Sequence, residues 1–217
     1  EQADKFTEEY LKSVFYEMFL KDNFKFITIK QGVLEIENKN PENDFPDKLF
    51  YYIDITSVDN NLKRIININK IVGKDAPSRA KQLVKYKDIL VSTVRPNLNS
   101  VAMVPKELDN QICSTGFCVL RADNKIFIPE YLFFITKSNF FIDALVNKCK
   151  GANYPAVSSK DIKYLQIPLP HLKLQQKFAS IVEHVEKLKE KQKKSKEHID
   201  EMFNSLMQKA FKGELVK

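Results

Sequence analysis

Neither proline nor glycine interrupts the chain between Leu172 and Lys212, and Gly213 follows at once. A stretch of that length without a breaker folds as one helix of roughly 60 Å, at ~1.5 Å rise per residue. The average globular helix has only ~11 residues. Apolar residues recur along it at intervals of seven. With a on Phe178, Val185, Gln192, Ile199 and Leu206, d falls on Ile181, Leu188, Ser195, Met202 and Lys209. The domain that precedes such a helix is too small to bury the whole stripe. The pattern therefore predicts a coiled-coil partner or a spacer role. Lys209 marks the end of the seam.

The 217 residues suit one domain with an appendage or two small domains. Sixteen Phe and eight Tyr, most of them before the helix, provide for a sizeable core. No apolar run reaches the ~18 residues of a membrane span, and no signal-peptide pattern occurs. The three cysteines are odd in number and form no CxxC pair. A reduced, cytoplasmic setting is the simplest reading, with the cysteines as small core residues. Charge is distributed unevenly. Residues 1–62 carry net −6, whereas residues 63–106 hold ten Lys and Arg against Asp75 and Asp88 alone. A basic block inside a folded region suggests a polyanion partner, and a solvated basic face is the plainer alternative.

Residues 6–20 read as a helix, with Phe6, Tyr10, Val14 and Met18 at four-residue spacing and Leu11, Phe15 and Phe19 beside them. Strands are expected at 25–29, 32–36, 49–55, 64–72, 88–94, 101–104, 115–120 and 164–169. Residues 38–46 read as a polar loop. Helices follow at 129–136, where Pro129 suits a first turn, and at 139–148. Residues 151–159 form a loop in which Ser158 or Ser159 can cap a short helical turn. The fold class is therefore α+β. A short N-terminal helix (1–22) leads into a mixed-sheet domain (23–170), and a long helical coiled-coil arm (171–217) follows.

No catalytic set emerges. Five glycines form neither GxGxxG nor a Walker loop. Asn153-Tyr154-Pro155 has the wrong order for an amino-methyltransferase motif, and Pro46-Asp47 lacks a timely Asp/Glu-x-Lys for a nuclease. His171, His184 and His198 stand thirteen and fourteen apart, which is not metal spacing. No cofactor, no metal and no enzymatic activity are expected.

Three ordered stretches carry a resemblance. They are Asp88-Ile-Leu-Val-Ser-Thr-Val-Arg-Pro96, then Ser114-Thr-Gly-Phe-Cys-Val-Leu-Arg121, and then Ile167-Pro-Leu-Pro170 with Gln175-Gln-Lys-Phe178. The third runs on into Phe203-Asn-Ser-Leu206 and Ala210-Phe-Lys-Gly-Glu-Leu215. Together they resemble one half of a DNA-specificity subunit of type I restriction–modification systems: a target recognition domain followed by a long conserved helix. Ser13 and Phe19 echo the spacing of Ser205 and Phe211, as expected if residues 1–20 end a preceding helix of the same kind. His171 and Leu174 depart from the family pattern, at the hinge between domain and helix.

The resemblance implies a non-catalytic subunit that binds a half-site of double-stranded DNA and positions methyltransferase subunits and, through them, a restriction subunit, in phage defence. Phosphate contacts are expected from Lys63, Arg64, Lys70, Lys74, Arg79, Lys81, Lys85 and Lys87. Base reading is expected from Arg79, Gln82, Arg95, Asn97 and Asn99, with Asn153 and Tyr154 as further contacts. For any one of these a turn or surface role stays equally open. The long helix implies a self-dimer or pairing with a second specificity half. An antiparallel copy would stack Gln192 and Ser195 at the two-fold axis, where a polar layer fixes register. A Gln192→Leu change is then expected to raise stability and loosen register. Two other readings remain: the recognition segment of a single-chain methyltransferase–nuclease, and a coiled-coil adaptor that binds nucleic acid without sequence preference.

Overall fold

The computed structural model describes residues 2–149 and 155–212. Helix α1 (Gln2–Phe19) is followed by β1 (Phe26–Thr28), β2 (Val33–Leu34), the one-turn α2 (Pro41–Asp44) and β3 (Leu49–Ile53). Then come β4 (Val58–Asp59), β5 (Arg64–Ile65), β6 (Asn69–Val72), β7 (Ala80–Leu83), β8 (Ile89–Ser92), β9 (Val101–Met103), β10 (Ile112–Ser114) and β11 (Phe117–Ala122). Helices α3 (Pro129–Lys137), α4 (Asn139–Val146) and α5 (Ser159–Lys163) lead to β12 (Gln166–Pro168) and the 40-residue α6 (Leu172–Phe211). No helix among the described residues is long and apolar enough to cross a membrane.

Two four-stranded sheets form the body. One has the order β2-β11-β8-β9 and is antiparallel throughout; the other is β6-β3-β10-β7, with β3 and β10 parallel. Strand β8 is buried on both faces, which explains its unbroken apolar run. Ile89 and Val91, with Cys118 and Leu120 of β11, join a core beneath the helices. Leu90, Phe117 and Val119 point the other way and meet Ile53 and Cys113 of the second sheet. The two-residue period of the strands thus yields helices, sheet and sheet in three layers.

The expected 64–72 strand is two strands, because Asn67 takes φ 51° and breaks the run. Strands β7 and β10 were not expected. The 38–46 loop contains α2, whose first residue is Pro41. Ser158 accepts from the Asp161 amide and caps α5. In α1 the buried face is Leu11, Phe15 and Phe19, while Phe6 and Tyr10 are exposed.

The largest correction concerns α6. Its first half belongs to the domain core. Phe178 is fully buried, with ring centroids 5.3 Å from Phe15, 5.4 Å from Phe19 and 4.9 Å from Phe134. Val185 is buried too, and Ile181 packs against the same cluster. These three expected pairing positions are therefore occupied within the chain. The domain buries more of the stripe than its size suggested, because α1 and α3 together provide a groove for it. Leu188, Gln192, Ser195, Ile199, Met202 and Leu206 are exposed, and every residue from 191 to 211 is exposed around the full circumference. Gln175 latches the start of α6. Its amide donates to the carbonyls of Ile126 (3.0 Å) and Pro170 (2.9 Å) and accepts from the Ile128 N–H at 2.8 Å.

Candidate nucleic-acid interface

Strand polarity sorts the candidate residues into two ends of the sheets. Strand β8 ends at Ser92, and the next residue, Thr93, donates both its N–H (2.9 Å) and its hydroxyl (2.8 Å) to the Gly116 carbonyl. Gly116 lies in the turn between β10 and β11. A Cβ there would fall 2.4 Å from the Ile55 side chain, two residues past β3, so any larger residue in this turn would have to push that side chain aside. The Thr115 N–H donates to the Arg79 carbonyl at 2.9 Å, which places Arg79 beside the same turn, just before β7. On the other flank the Arg95 N–H donates to Pro155 O (2.9 Å), Val157 N–H donates to Thr93 O (3.0 Å), and Val94 bridges Ala156. Segments 79, 115–116, 93–95 and 155–157 therefore lie side by side along one rim.

This rim gathers Arg79, Arg95 and Asn97, all exposed, from parts of the sequence far apart. It also contains Thr93 and the exposed Thr115, which sequence reasoning did not single out as contacts although both lie in the stretches that carried the resemblance. Asn153 and Tyr154 lie outside the described residues; the chain resumes at Pro155, directly on the rim. Arg95 at φ 49° and Asn99 at φ 47° bracket the turn Pro96–Leu98. A left-handed Arg before proline is an uncommon, costly conformation, of the kind that gathers at binding sites.

Several candidates are engaged within the fold. Gln82 is buried; its amide donates to Ser114 O at 2.8 Å and Phe117 O at 2.9 Å. Asn99 is buried and donates to the Lys137 carbonyl. These two side chains hold the rim from beneath and present no edge to a base. Lys63 donates to Asn99 O. Burial pushes its amine down to about 8, aided by the nearby charges of Lys137 and Lys12. Arg64 sits 3.6 Å from Glu186 of α6 and so ties the β4–β5 hairpin to the long helix.

Beneath that hairpin, the Lys137 ammonium is buried. It pairs with Glu8 of α1 and lies 4.4 Å from the centre of the Phe134 ring. Burial depresses Lys137 despite the pair. At Glu8 burial acts upward, but Lys137, with Lys12 and Lys189 behind it, overrides this and holds the carboxyl low.

Three of the remaining lysines, Lys74, Lys85 and Lys87, stand away from the rim. Lys85 and Lys87 precede β8 and so lie at its opposite end, about 13 Å away for four residues at ~3.4 Å each. There Asp88 receives Arg121 through two bonds of 2.9 and 2.7 Å, and Lys87 pairs with Glu130 at 2.6 Å. Lys74 follows β6 at the same far end, its N–H donating to Pro46 O, while Lys70 lies over the Tyr51 ring in mid-strand. Lys81 donates to Asn40 at 2.6 Å. The basic block of the sequence is therefore several separate surfaces. Among the described residues no group of His, Cys, Asp and Glu is arranged to hold a metal.

Comparison with known proteins agrees with this architecture. Residues 21–201 match the family model of the type I restriction modification DNA specificity domain. The specificity subunit of the type I restriction enzyme HindI from Haemophilus influenzae is 30% identical over 142 residues, covering 64% of this chain and 30% of that protein. The crystal structure of an HsdS subunit from Thermoanaerobacter tengcongensis superposes with a TM-score of 0.68 at 34% identity, over 86% of this chain and 48% of that one. A second solved chain, from a study of complex assembly and conformational transition in the type I R-M system, gives 0.70 at 33% identity, over 87% and 48%. The α+β body with its long C-terminal helix is common to these structures, and the chain spans less than half the length of each relative. The chain belongs to the family of type I restriction modification DNA specificity domains.

Proposed function

We propose that this chain is a DNA-recognition unit that reads one half-site of a split target through the rim and does no covalent chemistry itself. The carrying observation is the convergence of Arg79, Thr115, Thr93, Arg95 and Asn97 at one end of two packed sheets. Such a rim offers what base reading in a major groove needs: Arg side chains able to make two-point bonds to guanine and an Asn able to do the same for adenine. Asn153 and Tyr154, which precede Pro155 in sequence, are kept as proposed contacts on their residue types alone, and Lys63 and Arg64 are proposed to flank the rim. The methyltransferase subunits, and a restriction subunit through them, are the proposed partners in a phage-defence assembly. A second recognition unit is held at a fixed distance through the exposed half of α6. Three free cysteines, two of them buried, suit a reducing cytoplasm.

Equilibrium binding to a cognate duplex separates the two ends of the domain. Arg79→Ala and Arg95→Gly each cost about 1–3 kcal/mol and relax preference at a single base pair. Lys74→Ala with Lys85→Ala leaves both the affinity and its salt slope unchanged. Equal losses from both ends would remove the rim as the reading surface.

A further inference from the structure

The β4–β5 hairpin places an amine where burial and like charge both oppose it. Asp59 accepts from the Asn61 and Leu62 N–H groups at 2.7 and 2.8 Å, and the Lys63 N–H donates to the Asp59 carbonyl at 2.9 Å. Lys63 takes φ 53° at the end of this closed turn. Its half-buried side chain stands near Lys137 of α3 and Lys12 of α1, whose charges add to the burial that lowers its amine to about 8. Glu8 of α1 and Asp59 of its own hairpin act the other way, more weakly. On the α6 side, Glu186 is held by Arg64 at 3.6 Å and by Lys189 at 3.2 Å. What Lys63 bonds is a main-chain carbonyl 36 residues on, that of Asn99.

Asn99 closes the rim turn that starts at Arg95. Its N–H donates to Pro96 O at 3.0 Å, its φ is 47°, and its buried side chain donates to the Lys137 carbonyl at 3.3 Å. The next residue, Ser100, donates its hydroxyl to Asn60 of the same hairpin. Arg95 and Asn97 are therefore carried on a turn whose far end is clamped between the hairpin and α3. Residues other than glycine keep a left-handed backbone only where their surroundings hold them. The charged amine of Lys63 is such a hold on Asn99, with a bond about twice as strong as a neutral amine would make.

We propose that Lys63 is a positioning residue for recognition: it fixes the Arg95–Asn99 turn, so that the base pair read by this turn depends on a side chain that touches neither base nor phosphate. This rests on the rim as the reading surface and adds the residue that aims one part of it.

The test uses the full chain with the methyltransferase subunit. Its probes are the duplex that the native chain enriches from a random pool and that duplex altered one base pair at a time. Arg95→Gly marks the base pair that the turn reads. There Lys63→Met is expected to lower discrimination at least about fivefold, while the salt slope of affinity stays native. Lys63→Arg, which keeps the charge, is expected to hold discrimination to within about twofold of native. From about pH 7 to about 9.5 the native chain is expected to lose discrimination at that base pair, as the Lys63 ammonium gives up its proton, and Lys63→Arg is not. Unaltered preference in Lys63→Met, whether or not its thermal midpoint falls, overturns the proposal, as does a pH dependence that Lys63→Arg shares. A uniform loss across all duplexes, with a salt slope smaller by about one, makes Lys63 a phosphate contact and overturns it too. If Arg95→Gly relaxes no base pair, the rim reading itself fails. Relaxation by Arg95→Gly without relaxation by Lys63→Met fails the proposal alone.

Discussion

Two glutamines hold the fold together by satisfying main-chain groups that no regular ladder reaches, one at the rim and one at the start of α6. Gln82 bonds the carbonyls on either side of the Thr115–Gly116 turn, and Gln175 closes the start of α6 onto the segment before α3. Replacing Gln82 with leucine leaves two buried carbonyls unpaired, at about 2 kcal/mol in all. The midpoint of urea unfolding is expected to fall accordingly, while preference among duplexes by the folded protein is unchanged. A switch of base preference at unaltered stability would return Gln82 to the reading surface. Nothing in the sequence separates a buried amide from a base reader. Gln82 carries the right donor and acceptor for adenine, but its partners stand 32 and 35 residues away along the chain. Gly116, in contrast, was legible as part of a motif, and its reason is steric: Ile55 occupies the space a side chain would need.

At the scale of elements, α6 is one helix with two environments. Its first half is core and its second half is surface. Phe178→Ala removes the centre of an aromatic cluster and is expected to cost about 3–5 kcal/mol. Leu206→Ala, at an equivalent heptad position but exposed, changes the stability of the isolated chain by less than about 0.5 kcal/mol. Thermal unfolding of the two variants measures the contrast. Similar losses would mean that the distal half is already covered in the isolated chain. The heptad period announced the helix, since 3.6-residue periodicity survives whatever the helix packs against. It could not announce the division, because Phe178 and Leu206 occupy the same phase of the repeat and only tertiary contact tells them apart. Strands β7 and β10 were illegible for a related reason. Ala80-Lys-Gln-Leu83 and Ile112-Cys-Ser114 are too short and mixed to show alternation, and they exist because each pairs with the other across the sheet.

On the scale of the whole molecule, a charge count points to a polyanion partner, but the basic block behind it is not one surface. The ten basic residues between 63 and 106 scatter to both ends of the sheets and to the helix side, since a chain that runs back and forth sends neighbours in sequence to opposite edges. What concentrates at one end is a smaller set, Arg79, Arg95 and Asn97, beside the Thr115 turn. Recognition of one half-site by that rim is the central claim. The most direct test is selection of bound sequences from a random duplex pool, with the methyltransferase subunit present and the salt concentration fixed, for the native chain and for Arg79→Ala. The native chain is expected to enrich a split motif, and Arg79→Ala to enrich the same motif relaxed at one base pair of one half. No enrichment by an intact assembly, or an identical motif from both chains, would contradict it.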